Sequence, residues 1–301
     1  MFRRRPRGPE PVRFEKWEGL GNDFVVVNDD VAFMPKWEAI APRVCDRHFG
    51  VGADGVIVLT RIPPRMHVVN ADGSVPEMCG NGLRCVVAAL ASHEGIDVGE
   101  TWFETAAGPK LARFRRTGPV GFDVTVNMGE PSFDPALAGV TTVAATGQPV
   151  AVSADGVGDG YVVSIGNPHW IFVDAADDLD VTVVGPRLEH DPRFAARTNV
   201  ELVRQLGPAR WRVDVWERGA GRTLACGSGA VSVARLLVAL GREAARTPIT
   251  IELPGGALTC EVGPNGAVAM TGPARRTMRG ELDDDVLRAW GEPQLTAMSG
   301  D

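Results

Sequence analysis

The chain has 301 residues, a hydrophobic fraction of 44% and a formal charge of −7, from 31 Lys and Arg against 38 Asp and Glu. That length favours two domains over one, the composition is that of a globular protein, and the acidic balance argues against nucleic acid as the main partner. No stretch is long and apolar enough to span a membrane, and the cysteines, only five and odd in number, argue for a reducing cytoplasm over a disulfide scaffold.

The chain opens on a basic cluster, Arg3, Arg4, Arg5 and Arg7. It lacks the apolar segment of a signal peptide and reads as a short extension. Gly21-Asn-Asp-Phe-Val-Val-Val-Asn28 reads as a turn leading into a strand. Cys45, like Cys85 and Cys260, lies in or beside a run that reads as buried, so these three are expected to be packing residues. Gly50-Val-Gly-Ala-Asp-Gly55 satisfies G-x-G-x-x-G, yet it precedes the strand-like Val56–Leu59. A nucleotide loop would follow a strand and open a helix, so that reading fails on context. The segment His67 to Gly82 reads as a strand, a glycine-containing loop and then Cys79-Gly-Asn-Gly82, which opens the apolar run Leu83–Ala91. That run has helical length and is apolar nearly all round, so a buried central helix is expected. Phe122–Asn127 alternates as a strand, and Pro131-Ser-Phe-Asp-Pro135 is a plausible boundary.

Beyond the boundary the pattern recurs. Gly166-Asn-Pro-His-Trp-Ile-Phe-Val173 echoes the segment at Gly21, 145 residues later. Asn199–Val203 and Trp211–Trp216 read as strands. The segment Asp214 to Gly229 echoes His67 to Gly82 without a gap, 147 residues on, and its Cys226-Gly-Ser-Gly229 opens a second apolar run, Ala230–Leu240. Ile249–Leu253 and Ala267–Met270 are further short strands. From about Asp283 the chain turns acidic and then small and polar, as a short helix and a tail would. Two echoes in one order at nearly one spacing indicate a duplicated domain. The expected fold is α+β: two pseudo-symmetric domains, each a curved, mostly antiparallel sheet around a central helix. The expected division is 13–130 with Cys79 and 131–273 with Cys226, flanked by extensions at 1–12 and 283–301.

Cys79 and Cys226 sit just ahead of helices on glycine-flanked turns. First-turn amides have no intrahelical partner and point outward as donors. The dipole there is expected to favour a thiolate, and the glycines admit a carboxylate to the backbone. Two such sites facing across a cleft suit inversion of a carbon stereocentre, with a base on one face and an acid on the other. Helix N-termini aimed at the α-carboxylate would stabilise the charge that develops. Asn70 and Glu217 each stand nine residues before a cysteine. Arg218 is placed to hold a carboxylate. Asn22, Asn81, Asn167 and Asn199 lie in or beside turns, and His169 is a candidate to tune a thiol.

Gly19-Leu-Gly-Asn-Asp-Phe24, Asn70-Ala-Asp-Gly-Ser74, Cys79-Gly-Asn-Gly82, Gly166-Asn-Pro-His169, Glu217-Arg-Gly-Ala-Gly221 and Ala225-Cys-Gly-Ser-Gly229 together resemble diaminopimelate epimerase, from about Phe14 to Gly280. The resemblance implies interconversion of LL- and meso-2,6-diaminopimelate with no cofactor, neither pyridoxal phosphate nor metal. It implies a cytoplasmic homodimer serving lysine and peptidoglycan synthesis and acting on a small amino-acid substrate. It implies that Cys79 and Cys226 are the acid/base pair, and that Gly80, Asn81, Gly227 and Ser228 hold the reacting carboxylate. Asn22, Asn70, Asn167, Asn199, Glu217 and Arg218 would bind the rest of the substrate, and His169 and Glu217 would modulate the cysteines. It also returns the last strand, about 274–282, to the first domain. The chain departs from the family where Glu18 replaces a common His, Gly55 a substrate-contacting Gln and Met278 a Tyr at the dimer contact. Among rivals, zinc or thioredoxin-like chemistry lacks its cysteine spacing. Proline racemases typically read Cys-Gly-His-Gly, and phenazine-type isomerases lack the cysteine pair. A racemase for another amino acid, such as histidine, remains an alternative on the residues alone.

Overall fold

The computed structural model describes residues 11–29, 36–76 and 78–291. The basic cluster at Arg3–Arg7 and the tail beyond Gly291 lie outside the described residues.

The first half runs β1 (Val12–Gly19), β2 (Asn22–Asn28), α1 (Trp37–Val44), β3 (Gly55–Arg61), β4 (Pro64–Asn70), α2 (Gly80–Glu94), β5 (Val98–Phe103), β6 (Lys110–Arg116) and β7 (Gly121–Gly129). A 3-10 turn at Pro135–Ala138 leads into the second half. That half contains β8 (Val150–Ala154), β9 (Gly158–Ser164), β10 (Pro168–Val173), α3 (Val181–Glu189), β11 (Asn199–Gly207), β12 (Arg210–Glu217), β13 (Gly221–Arg222), α4 (Gly227–Ala239), β14 (Ile249–Leu253) and β15 (Gly256–Val262). The long β16 (Val268–Leu282) and α5 (Asp284–Gly291) close the chain.

The halves share one wiring. β2 pairs parallel with β3 and β10 with β11, each across an outer helix. β3–β4 and β11–β12 are the antiparallel hairpins that follow. The other named pairs are antiparallel except β12–β14. This is the two-domain α+β architecture, mostly β with few helices, that the duplicated motifs predict. β16 joins the halves: Thr259↔Thr271 ties it to β15, Val124↔Gly272 to β7, and Val12↔Leu282 to β1.

Helices α2 and α4 are the centres of the two halves. Residues Asn81 to Ala91 of α2 are all buried, and α4 is buried from Gly229 to Ala234. A helix apolar all round has nowhere stable to sit except inside a wrapped sheet. Both belong to one continuous core, which includes Leu83, Val87, Trp211, Val231, Leu237 and Met270. Helices α1 and α3 pack on the outer faces, where Ile40 and Val44 cover the first half and Val181 and Leu188 the second. These two helices lack a clear sequence signature because each contains a proline, Pro42 and Pro186. In α3 the Gly185-Pro186 pair reads as a turn. Gly185 is there because Trp216 packs against its α-carbon: a Cβ would come within 2.5 Å of that ring. Cys45, Cys85 and Cys260 are buried, unpaired packing residues. Among the described residues no helix is long and apolar enough to cross a membrane.

Candidate active site

Each motif cysteine is the N-cap of its central helix. Cys79 has φ −135° and ψ 101°, and its sulfur accepts from the amide of Gly82 at 3.3 Å. Cys226 has φ −113° and ψ 105°, and accepts from Gly229 at 3.4 Å. The sulfur thus takes the position that a serine or aspartate oxygen holds in an ordinary cap. The remaining first-turn amides are left free to bind an anion.

The two helix ends meet. Asn81 Nδ2 donates both to the carbonyl of Ala225, beside Cys226, at 3.1 Å and to Asn22 Oδ1 at 3.2 Å. Beneath the junction lies Met270, whose methyl would stand 3.1 Å from a Cβ at Gly80 and 3.4 Å from one at Gly227. Glu217 acts electrostatically on both Cys79 and Cys226, which puts the two thiols in one locality.

The second half supplies most of the polar groups. Asn167 Nδ2 donates to Ser228 Oγ at 3.2 Å, and that hydroxyl lies 3.5 Å from Cys226 Sγ. His169, wholly buried, has Nε2 3.2 Å from Asn167 Oδ1 and Nδ1 2.6 Å from Glu201 Oε1. Asn199 donates to the Pro168 carbonyl at 2.9 Å and accepts from the Arg218 amide at 2.8 Å. The Arg218 guanidinium donates to the Ala196 carbonyl at 3.0 Å, with its other nitrogens left for a ligand. Thr223 donates to Glu217. Asn70 stands at the end of β4 and binds Ser74 Oγ at 2.9 Å, bracing the loop that leads to Cys79. Asn22, Asn81, Asn167 and Ser228 are therefore linked to the helix junction or to Cys226, and His169 reaches it through Asn167.

The electrostatics correct one expectation. The helix N-termini do not leave the thiols ionised in the ligand-free protein. Burial pushes Cys79 up to about 11, against the lowering pull of the Gly82 amide. Burial, joined by the carboxylates of Glu217 and Glu201, holds Cys226 well above the ordinary thiol value. A helix end contributes about 0.3–2 kcal/mol, whereas full burial moves a group by up to about 3–5 pKa units, so desolvation wins. Burial likewise raises the Glu217 carboxyl, against hydrogen bonds from Thr223 and Cys226.

Sequence reasoning passed over Glu201. It lies in the apolar strand Asn199-Val-Glu-Leu-Val203 with its side chain fully buried, and an acidic residue inside such a run was the available signal. The three family departures each have a local setting. Glu18 accepts from Arg275 at 2.6 Å and from the Gly21 amide at 3.1 Å, holding the turn that carries Asn22. At Gly55 a Cβ would meet the Val69 carbonyl at 2.7 Å, so the strand pair β3–β4 has closed over the space a glutamine would need. Met278 is half-exposed on β16 beside Lys16.

The duplicated α+β scaffold with a thiol capping each central helix is shared, as a fold, with solved structures. The structure matches a protein described as a predicted epimerase from Pseudomonas aeruginosa with a TM-score of 0.63 at 18% identity, covering 90% of this chain and 99% of that one. It matches a hydroxyproline epimerase from Agrobacterium vitis at 0.62 and 16% identity, covering 91% and 94%. The family model for diaminopimelate epimerase matches residues 14–133 and 161–277. Diaminopimelate epimerases from Synechocystis sp. and Thermosynechococcus vestitus are 41% and 43% identical to this chain, each covering 90% of it and 99% of the relative. The chain belongs to the diaminopimelate epimerase family and is an isomerase.

Proposed function

We propose that this enzyme interconverts LL- and meso-2,6-diaminopimelate, with Cys79 and Cys226 exchanging a proton at one α-carbon. The observation that carries the reading is the pair of N-capping thiols on two helix ends that Asn81 bonds together. The names of relatives at about 40% identity supply the substrate.

One cysteine, as thiolate, takes the α-proton: its S–H bond forms as the Cα–H bond breaks. The electron pair spreads into the α-carboxylate. Free amides at Gly80, Asn81, Gly227 and Ser228 face that carboxylate and stabilise the charge it gains. The opposite thiol then delivers its proton to the other face. Thiol and thiolate have exchanged places, which is why both copies of the repeat keep a cysteine. Asn22, Asn70, Asn167, Asn199, Glu217 and Arg218 bind the substrate's polar groups, and Arg218 takes the distal carboxylate. His169 and Glu217 adjust the thiols. The same reading divides the chain into 13–130 plus 274–282 and 131–273, which close on the substrate as a cytoplasmic homodimer. Its product serves lysine and peptidoglycan synthesis.

Incubation with LL-diaminopimelate in D2O tests this. Meso product deuterated at the inverted centre is expected from the native enzyme, and Cys79→Ala and Cys226→Ala should each abolish turnover. Full turnover by either variant would refute the two-thiol mechanism. Folded, reduced enzyme that inverts only some other amino acid would refute the substrate.

A further inference from the structure

The two halves are built alike but backed differently. Strand register makes Phe24 and Ile57 of the first half the counterparts of His169 and Glu201 in the second. Local packing agrees. A Cβ on Gly82 would meet Ile57 Cδ1 at 3.1 Å, and a Cβ on Gly229 would meet Glu201 Oε1 at 2.8 Å. The fold therefore accepts an apolar pair at this position. The second half instead carries a fully buried histidine and glutamate, and the second glutamate oxygen has no hydrogen-bond partner. A buried ion pair is a poor way to gain stability over packed apolar side chains, so its presence behind one thiol calls for another explanation.

The hydrogen bonds supply it. Glu201 Oε1 accepts at His169 Nδ1, and Asn167 Oδ1 accepts at Nε2. Each ring nitrogen thus faces an oxygen, and the ring is held between Glu201 and Asn167. With its carbonyl oxygen committed to His169, Asn167 turns its amide N–H toward Ser228 Oγ. The Ser228 hydroxyl, accepting from Asn167, lies 3.5 Å from Cys226 Sγ and is placed to donate to it. We propose that Glu201 is a positioning residue whose relay through His169, Asn167 and Ser228 presents a hydroxyl donor to Cys226 and so supports that residue's thiolate in its turn as base. The proposal rests on the two-thiol reading for its purpose, but its geometry concerns Cys226 alone.

Among the described residues, Glu217 from β12 and Glu201 from β11 act on Cys226, and His169 of β10 acts on Glu217. On the β15 side Cys260 is an uncharged thiol, held up to about 12 by burial. Arg84 lies behind Cys79. Replacing Glu201 by glutamine removes a negative charge that raises Cys226, which alone would ease its ionisation. The relay acts in the opposite direction, through orientation. Without the carboxylate acceptor the His169 ring is no longer held against Asn167, Asn167 no longer holds its amide N–H toward Ser228, and Cys226 loses its hydroxyl donor.

The experiment follows alkylation of Cys79 and Cys226 separately, by iodoacetamide and peptide mass mapping on the full-length enzyme from neutral to alkaline pH. Glu201→Gln and Ser228→Ala are each expected to raise the apparent pKa of Cys226 by about one unit, a roughly ten-fold slower reaction at a given pH below it. Cys79 should be unaffected, and the double variant should be no slower than either single one, as members of one relay are non-additive. Faster alkylation of Cys226 in Glu201→Gln would mean an unpaired charge, not a relay, and would overturn the proposal. An unchanged Cys226, equal slowing of Cys79, or additive losses would overturn it too. If Glu201→Gln does not fold, the double substitution His169→Phe with Glu201→Ile copies the other half; folded and with native Cys226 reactivity, it refutes the relay. Because alkylation needs no turnover, failure here and failure of the assigned substrate are read separately.

Discussion

Asn81→Ala tests whether the two halves are joined through the site or merely adjacent to it. The side chain is buried, and its one amide nitrogen serves both Ala225, across the junction, and Asn22. Truncation removes two hydrogen bonds of about 1 kcal/mol each and leaves the Ala225 carbonyl bare in a buried setting, a further penalty of about 1–3 kcal/mol. Part of this is recovered, because the Asn81 Oδ1 atom is itself buried without a partner and disappears with the side chain. A net loss of about 2–3 kcal/mol remains, a fall in Tm of roughly 3–5 °C for a protein of this size. Activity should fall much further. A displacement of about 1 Å between reacting groups costs about a hundred-fold in rate, and here both thiols would move relative to one another. Thermal unfolding with and without substrate, together with kcat and KM, separates the two effects. A variant with native kcat and a Tm lowered as calculated would show that the junction holds the fold but does not set the distance between the thiols.

Three further outcomes follow from the same geometry. Gly229→Ala should cost more activity than Gly82→Ala, since the new methyl meets the ion-paired Glu201 oxygen at 2.8 Å in one case and the mobile tip of Ile57 at 3.1 Å in the other; equal kcat for the two would contradict this. Cys79 should be alkylated before Cys226: burial and Glu217 raise both thiols, but Glu201 adds to the rise at Cys226, whereas the Gly82 amide and Arg84 oppose it at Cys79; the order of modified peptides decides it. Burial pushes the Glu15 carboxyl up, but hydrogen bonds from His93, Arg279 and Trp17 outweigh this and lower it to about 2. A depressed carboxyl stabilises the folded state above its ordinary value of 4.5, and that contribution is lost as pH falls toward 2. Its size is on the order of 2 kcal/mol after allowing for solvent screening of the exposed Arg279. Glu15→Gln should therefore unfold more readily than the native enzyme at neutral pH and equally readily in strong acid, as denaturant titration at the two pH values would reveal.

The duplicated core was legible because its signals are local and repeated. Cys79-Gly-Asn-Gly82 and Cys226-Gly-Ser-Gly229 each announce a cap, and the apolar runs behind them can only be buried helices. The outer helices were obscured by Pro42 and Pro186 and become helical through packing: Trp37 and Ile40 cover β2 and β3, and Gly185 fits over Trp216. Their stability is tertiary, which propensity does not encode. The cap geometry of both thiols could be read from spacing, but their protonation could not, because desolvation depends on what the rest of the chain lays over them. Glu201 was hidden for a related reason. Its partner His169 is 32 residues away, and only the parallel register of β10 with β11 makes them neighbours.

Duplication gives this site two similarly capped thiols, yet the proposed two-thiol mechanism needs them unequal during turnover, one protonated and one not. The inequality has to come from residues that the repeat does not preserve. Arg84, wholly buried in α2, donates from Nε to the Pro273 carbonyl at 3.3 Å and has both terminal nitrogens unpartnered; its counterpart in α4 is Val231. Glu217 answers to Asn70, and Glu201 to Ile57. A cation thus stands behind Cys79, and two acidic side chains, Glu217 and Glu201, act on Cys226. Both sulfurs receive a cap amide, so their common geometry makes each competent in either role. In the proposed mechanism the unmatched charges decide which one ionises first, and the Ser228 hydroxyl offsets the bias when Cys226 takes its turn. Each conversion leaves the two sulfurs with exchanged protonation states, so that mechanism requires both to be competent as base.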